Sequence, residues 1–194
     1  MPRTPLHTRE EMVKISLQIV RRQGADALTA RNIGKAMGCS SSPIFTLFEN
    51  MDDLLRSVRK AARAMFVDYV RDVTDYSPAF KEYGLRLIRF AVRERNLFDF
   101  IFLNDDGLNR YSDLIVTECL ELMAKEQDLS SEQAGLVLEH MWPYACGVAV
   151  LSSRNPDMFT EEAVNGMLSF QFAAILTLMR SGKTPVNPIP SVTR

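Results

Sequence analysis

Histidine is nearly missing from this chain: His7 and His140 are the only two among 194 residues. Sites built on imidazole, whether metal centres or acid–base pairs, therefore have little to work with. There is no GxSxG, no phosphate-binding glycine loop and no HExxH, so hydrolase, P-loop and zincin chemistry lack the residues that define them. The sequence predicts no enzyme, no cofactor and no metal site. Cysteine is also scarce. Cys39, Cys119 and Cys146 are odd in number, widely spaced and without a CxxC pair, which argues against both a disulfide framework and a zinc cluster and fits a reducing, cytoplasmic setting. Apolar runs long enough to span a membrane are not expected either, on the reading that Arg, Asp or Glu breaks each within a few positions, and MPRTPLHTREE has no apolar stretch of signal-peptide length. The expectation is a protein with no membrane partner.

What remains is ordinary globular material, 46% hydrophobic and 24% charged, enough to build a core without covalent staples. The net charge of -1 conceals an asymmetry. Residues 1–60 hold ten Lys/Arg against six Asp/Glu, a surplus of +4, leaving the remainder at -5. A basic end on an acidic body is the pattern of a polyanion-binding head, although solvated surfaces carry similar surpluses.

Apolar spacing reads as helix throughout, with no strand of comparable quality. From Thr8 to Gln23, Met12, Ile15, Ile19 and Val20 repeat as one helical face. Gly24 stops that helix. Thr29 is placed to cap a short one reaching Met37, which Gly38 closes. Ser40-Ser41-Ser42-Pro43 then opens a third short helix through Phe48, with Ile44, Leu47 and Phe48 inward and Ser41, Ser42, Phe45 and Thr46 outward. A long helix is expected from Met51 or Asp52 to Val73. Others follow over Pro78–Arg95, Leu97–Leu103 and Leu108–Lys125. A capping box of Ser130 with Gln133 opens one to Ser153, and Thr160 caps a last one to Ser181. Three prolines in the final GKTPVNPIPSVTR predict an unfolded tail.

Three short helices separated by glycine turns within 50 residues are the layout of a helix-turn-helix head whose third helix enters the major groove. The segment ALTARNIGKAMGCSSSPIFTLFENMDDLL resembles the DNA-binding signature of the TetR/AcrR family of one-component bacterial regulators. Gly24, Leu28, Thr29, Ile33, Gly38, Ser40, Ile44, Phe48 and Leu54 carry the resemblance in register and without gaps. It implies an all-α protein of about nine helices, with a DNA-binding head over 1–50, a helical ligand-binding and dimerisation body over 51–182, and a tail over 183–194. It also implies operator contacts by Thr29, Ser40, Ser41, Ser42, Pro43, Phe45 and Thr46, with electrostatic support from Arg31 and Lys35. Three positions depart from the family pattern: Phe45 stands for tyrosine, Leu47 for histidine and Met51 for lysine. Each substitution removes a polar contact, which implies either weaker DNA binding or compensation by an arm bearing Arg3 and Arg9 that reaches phosphate or the minor groove, a frayed terminus being the equal alternative for that arm.

Within the body, Met65, Phe66, Tyr69, Phe90, Phe98, Phe102, Met123, His140, Met141, Trp142 and Tyr144 are candidates to line a cavity for an apolar or amphipathic effector, with plain core the stronger expectation for any one of them. His140, Arg89, Tyr69 and Glu139 are the candidate polar anchors. The last two helices carry Ala145, Gly147, Ala149, Gly166, Ala173 and Ala174, small residues that permit the close helix approach of a homodimer. The partners expected are thus double-stranded operator DNA, a small-molecule effector and a second copy. A helical adaptor that has given up DNA is the competing expectation.

Overall fold

A computed structural model describes residues 8–40, 43–71, 73, 78–103 and 113–183. Nine α-helices account for most of these residues, and no strand occurs among them, so the chain is all-α. They fall into two compact units. The first comprises Met1–Asp68 and Glu94–Arg110, the second Tyr69–Arg93 and Tyr111–Arg194.

The first unit opens with α1 (Arg9–Gln23), whose N-terminus is closed by a capping box: the Thr8 hydroxyl accepts from Glu11 N–H, and Glu11 reaches back to Thr8 N–H. The helix α1 ends at Gly24, and a 3-10 turn (Ala25–Ala27) leads on to α2 (Ala30–Met37). Thr29 caps α2 as expected, accepting from Asn32 N–H at 3.2 Å. At the other end Gly38 adopts φ 68°, ψ 24°. Its N–H donates to Lys35 O and that of Cys39 to Gly34 O, a Schellman arrangement that a side chain at position 38 would strain. The short α3 (Ile44–Leu47) follows, and then α4 (Met51–Val70), capped by Asn50 through Asp53 N–H. The helix expected to reach Val73 thus stops at Val70. Met12, Val20, Ile33, Ile44, Leu54 and Val58 are wholly or almost wholly buried and form the core of this unit. Each contributes roughly 1.5–3 kcal/mol by leaving water.

Residues 94–103 belong to this unit as well. The single helix expected over Leu97–Leu103 is instead α6 (Arg95–Phe98) running into a wider π-helical turn (Asp99–Leu103). The reason lies in burial: Leu97, Phe98, Phe100, Ile101 and Phe102 are all at most 4% exposed. A one-sided 3.6-residue helix does not bury five of six successive side chains, and the wider turn redistributes them. Phe102 meets Phe66 edge-on at 5.0 Å and Phe98 at 5.0 Å, and Arg59 lies over the Phe100 ring at 5.0 Å. Arg21 near the end of α1 pairs with Glu94, its Nε 2.7 Å from Oε2, and Asn96 donates to Arg21 O at 3.1 Å.

The second unit contains α5 (Ala79–Arg93), α7 (Asp113–Gln127), α8 (Ser131–Arg154) and α9 (Glu161–Arg180). The helix expected over Pro78–Arg95 ends at Arg93, and the expected start at Leu108 lies outside the described residues. The helix α5 packs against α7, α8 and α9. Glu126 of α7 accepts the first N–H of α5, that of Ala79, at 2.7 Å, satisfying a helix end that the sequence left open. The capping box Ser130–Gln133 and the Thr160 cap both form. Pro143 sits inside α8 on its exposed side, where the hydrogen bond it cannot make costs least. By length and composition alone α8 and α9 could each cross a membrane: residues 140–153 and 163–179 hold no Arg, Lys, Asp or Glu, against the expectation that charges break every apolar run within a few positions.

Candidate nucleic-acid interface

The outward surface of the head is made by a very short helix. Ile44 and Phe48 are 1% and 2% exposed, whereas Phe45 is 54% exposed and Thr46 lies beside it in solvent. Two apolar anchors on one side therefore fix which side faces out, as the i, i+4 spacing requires. Leu47 is only half-buried. Pro43, in helical conformation at φ -59° and ψ -25°, occupies the N-cap of α3 and offers no side-chain cap. Ser41 and Ser42, expected to share this face, lie outside the described residues, as do Arg3 and the expected tail beyond Lys183.

Arg31 and Lys35 project from α2 and are exposed, with Thr29 and Ser40 exposed at its two ends. The Thr29 oxygen is occupied by Asn32 N–H, so its own proton remains to be donated. Gly34, between Arg31 and Lys35, was not singled out by the sequence. A Cβ there would lie 2.9 Å from Cys39 O and 3.2 Å from the Ser40 carbonyl carbon. The turn leading to α3 thus rests directly on the α2 backbone. The signal was present as GxxxG, Gly34 to Gly38, but periodicity does not reveal which backbone will approach.

Arg9 departs most from expectation. It is no part of a free arm: it begins α1, and its side chain, 44% exposed, turns the guanidinium onto α3 and α4. Nη1 donates to Leu47 O at 2.9 Å, and Nη2 to Asp53 Oδ1 and Oδ2 at 3.0 and 3.2 Å and to Ser57 Oγ at 3.2 Å. Its charged carbon also lies 4.2 Å from the centroid of the Phe48 ring.

The candidate ligand residues divide between the two units. Met65, Phe66, Phe98 and Phe102 belong to the first, and Tyr69, Phe90, Met123, His140, Met141, Trp142 and Tyr144 to the second. Phe66, Phe90, Phe98, Phe102, Met123 and Met141 are buried, while Met65, Tyr69, His140, Trp142 and Tyr144 are half-buried. Tyr69 tilts on Phe90 at 5.5 Å. Among the polar anchors, Arg89 is already committed: its Nη1 is 2.7 Å from the buried Glu82, which also pairs with Arg86 at 3.2 Å, and its Nε is 3.0 Å from Glu161. Glu139 is half-buried. His140 Nε2 is buried and has no hydrogen-bond partner among the described residues.

Burial governs the thiols and one phenol. It pushes the Cys146 thiol up to about 12 and the Cys119 thiol further still, and both therefore stay protonated and poorly nucleophilic at neutral pH. Tyr83 is likewise raised, first by burial and then by donating its proton to Glu118 at 2.7 Å. Iodoacetamide at pH 8 is expected to alkylate the half-buried Cys39 alone in native protein, with Cys119 and Cys146 reacting only in denaturant. Peptide mass spectrometry checks this, and native modification of Cys146 would contradict it.

With this geometry in place, one comparison bears on the chain. A solved structure of a transcriptional regulator from Rhodococcus sp. Rha1 superposes with a TM-score of 0.58 at 14% sequence identity, covering 88% of this chain and 97% of that one. The fold is that of a known transcriptional regulator. At such identity the likeness concerns the course of the helices and leaves the side chains to be argued separately. No family model and no curated protein matches the chain.

Proposed function

We propose that this chain is a TetR/AcrR-like transcriptional regulator, a repressor, that binds a near-palindromic operator as a homodimer and leaves it when an apolar or amphipathic small molecule fills the helical body. The observation that carries this reading is the outward face of α3: Phe45 and Thr46 exposed over the buried anchors Ile44 and Phe48, beside the exposed cations Arg31 and Lys35. A phenyl edge and a hydroxyl are suited to thymine methyls and mixed base edges, and the cations to phosphates.

A second copy is supported by the outer surface of α8 and α9. Ala163, Gly166, Phe170, Ala173 and Thr177 are all exposed at alternating spacings of three and four, and Pro143, Gly147 and Leu151 are exposed at spacings of four. Phe170 is 78% exposed and Leu151 48%. Glycine inside a helix costs roughly 0.5–1 kcal/mol relative to alanine. A Cβ at Gly147 or Gly166 would meet nothing within 4 Å among the described residues, so none of these accounts for either glycine. Close approach by helices of another copy does. A homodimer would offer two copies of α3 to successive major grooves, which lie about 34–36 Å apart on a near-palindromic site. The same stripe would suit lipid, and a dimer that stays in solution without detergent separates the two.

The test is selection of duplexes from a random pool, followed by binding across a salt series. A selected near-palindromic duplex should bind with a steep salt dependence. Lys35→Ala should weaken all duplexes and lower the salt slope by about 1, whereas Thr46→Ala should cost about 1–3 kcal/mol on particular bases. Failure to select any duplex would sink the proposal.

The exposed Phe45 also gives the adaptor reading a foothold, because an isolated aromatic on a surface suits a protein partner. In that case Phe45→Ser abolishes function while the joint replacement of Arg31, Lys35 and Thr46 leaves it intact.

A further inference from the structure

A helix of four residues has almost no stability of its own, since nucleation consumes more backbone freedom than one or two hydrogen bonds return. The reading helix α3 therefore depends on what holds its ends. Its inward face is fixed by Ile44 and Phe48. Its C-terminal carbonyls have few intrahelical donors, and Arg9 supplies one from a distant part of the chain. The same guanidinium holds both oxygens of Asp53 near the start of α4, takes Ser57 one turn further on, and lies against the Phe48 ring. Asp53 is itself anchored, receiving Glu49 N–H at 3.4 Å and giving its own N–H to Asn50 Oδ1. On the other side, the Thr8–Glu11 capping box fixes the first turn of α1, from which Arg9 projects. One side chain thus joins the first residue of α1, the last of α3 and the first two turns of α4.

We propose that Arg9 is the positioning residue of the reading helix: it sets the pose of α3 by clamping Leu47, Phe48 and Asp53, and makes no contact with nucleic acid itself. This rests on the DNA-binding reading above and sharpens it, because a basic residue at the start of such a head would otherwise be assigned to phosphate. The fork geometry is essential. Arginine presents parallel donors to two carboxylate oxygens and a further one to a carbonyl, which the single ammonium of lysine does not reproduce.

Arg9→Lys is therefore the informative variant, since it retains the charge and removes the fork. Binding should be measured over a salt series to two probes, a duplex selected by the wild-type protein and a scrambled duplex of the same length. The expected result is a loss of about 10-fold or more on the selected duplex only, with the salt slope unchanged. Unchanged affinity for the selected duplex would overturn the proposal. So would a loss shared by both duplexes in which Arg9→Gln lowers the slope by about one, for that is the signature of a direct phosphate contact. A readout without DNA accompanies it: amide exchange at Phe48, whose N–H donates to Ile44 O at 2.8 Å, should accelerate in Arg9→Lys and in Asp53→Asn, and no further in the double variant. Were Arg9→Lys poorly folded, Asp53→Asn would carry both measurements from the other side of the clamp. If the wild-type protein selects no duplex, the DNA-binding reading fails by itself, and the exchange data still decide whether Arg9 holds α3. Unaltered exchange at Phe48 in both single variants refutes the clamp.

Discussion

Gly34→Ala is expected to destabilise the head by about 1–3 kcal/mol and to reduce the proposed DNA binding severely, although alanine is the better helix former. Two effects oppose each other. Helix propensity favours alanine by at most about 1 kcal/mol. Against that, the new methyl would stand 2.9 Å from Cys39 O, with the Ser40 carbonyl carbon and oxygen at 3.2 and 3.3 Å. These are backbone atoms, held by the Cys39 N–H to Gly34 O bond of 2.9 Å, so relief requires the whole turn to move, and overpacking of this kind costs about 1–3 kcal/mol. The displaced turn is the one that leads to α3, so the damage falls on the proposed DNA-reading face. Gly84→Ala is the control. Among the described residues its methyl would meet only Leu168 Cδ1 at 3.2 Å, the end of a flexible side chain. Thermal melts together with duplex binding check the pair, and a Gly34→Ala protein as stable and as tightly bound as wild type would refute the argument.

Phe170→Glu is expected to convert the proposed dimer to monomer and leave the fold of each protomer intact. Phe170 is 78% exposed, so the protomer loses little. In a twofold interface every substitution acts twice, and a carboxylate placed in an apolar contact costs several kcal/mol at each copy. The dissociation constant should rise by at least about 100-fold, which about 2.7 kcal/mol suffices to produce. Gly166→Ala should act with divided sign: it raises protomer stability by up to about 1 kcal/mol and weakens association, because the methyl fills space reserved for the partner. Sedimentation velocity and thermal melting separate the two quantities. A wild-type protein that sediments as a monomer, or a Phe170→Glu protein that stays dimeric, would remove this interface from consideration.

The difference between what could and could not be foreseen follows from the range of the interactions involved. Helix ends were legible because a cap is a local event: Thr29, Ser130 with Gln133, and Thr160 act within three residues of themselves, and each forms the bond that its type and position predict. The outward placement of Phe45 and Thr46 was legible for the same reason, since a helical period fixes it once Ile44 and Phe48 are inward. Arg9 was misread as a free cation because its partners lie 38 to 48 residues away, and charge alone says nothing about where a guanidinium turns. Leu97–Leu103 was expected as one plain helix, but its burial on several sides depends on Phe66 and Arg59 of a separate helix. Arg89, a candidate anchor for a ligand, proved to be engaged by Glu82 and Glu161.

The sequence by itself determined an all-helical chain, the caps that begin α2, α8 and α9 and the face that its third helix turns to solvent, because periodicity and capping operate within a turn or two of backbone. Only the tertiary structure decided that Gly34 lies beneath a returning chain, that Arg9 ties three helices together and that the stripe through Phe170 is exposed among the described residues. These depend on which distant segments meet, and packing chooses that for the chain as a whole.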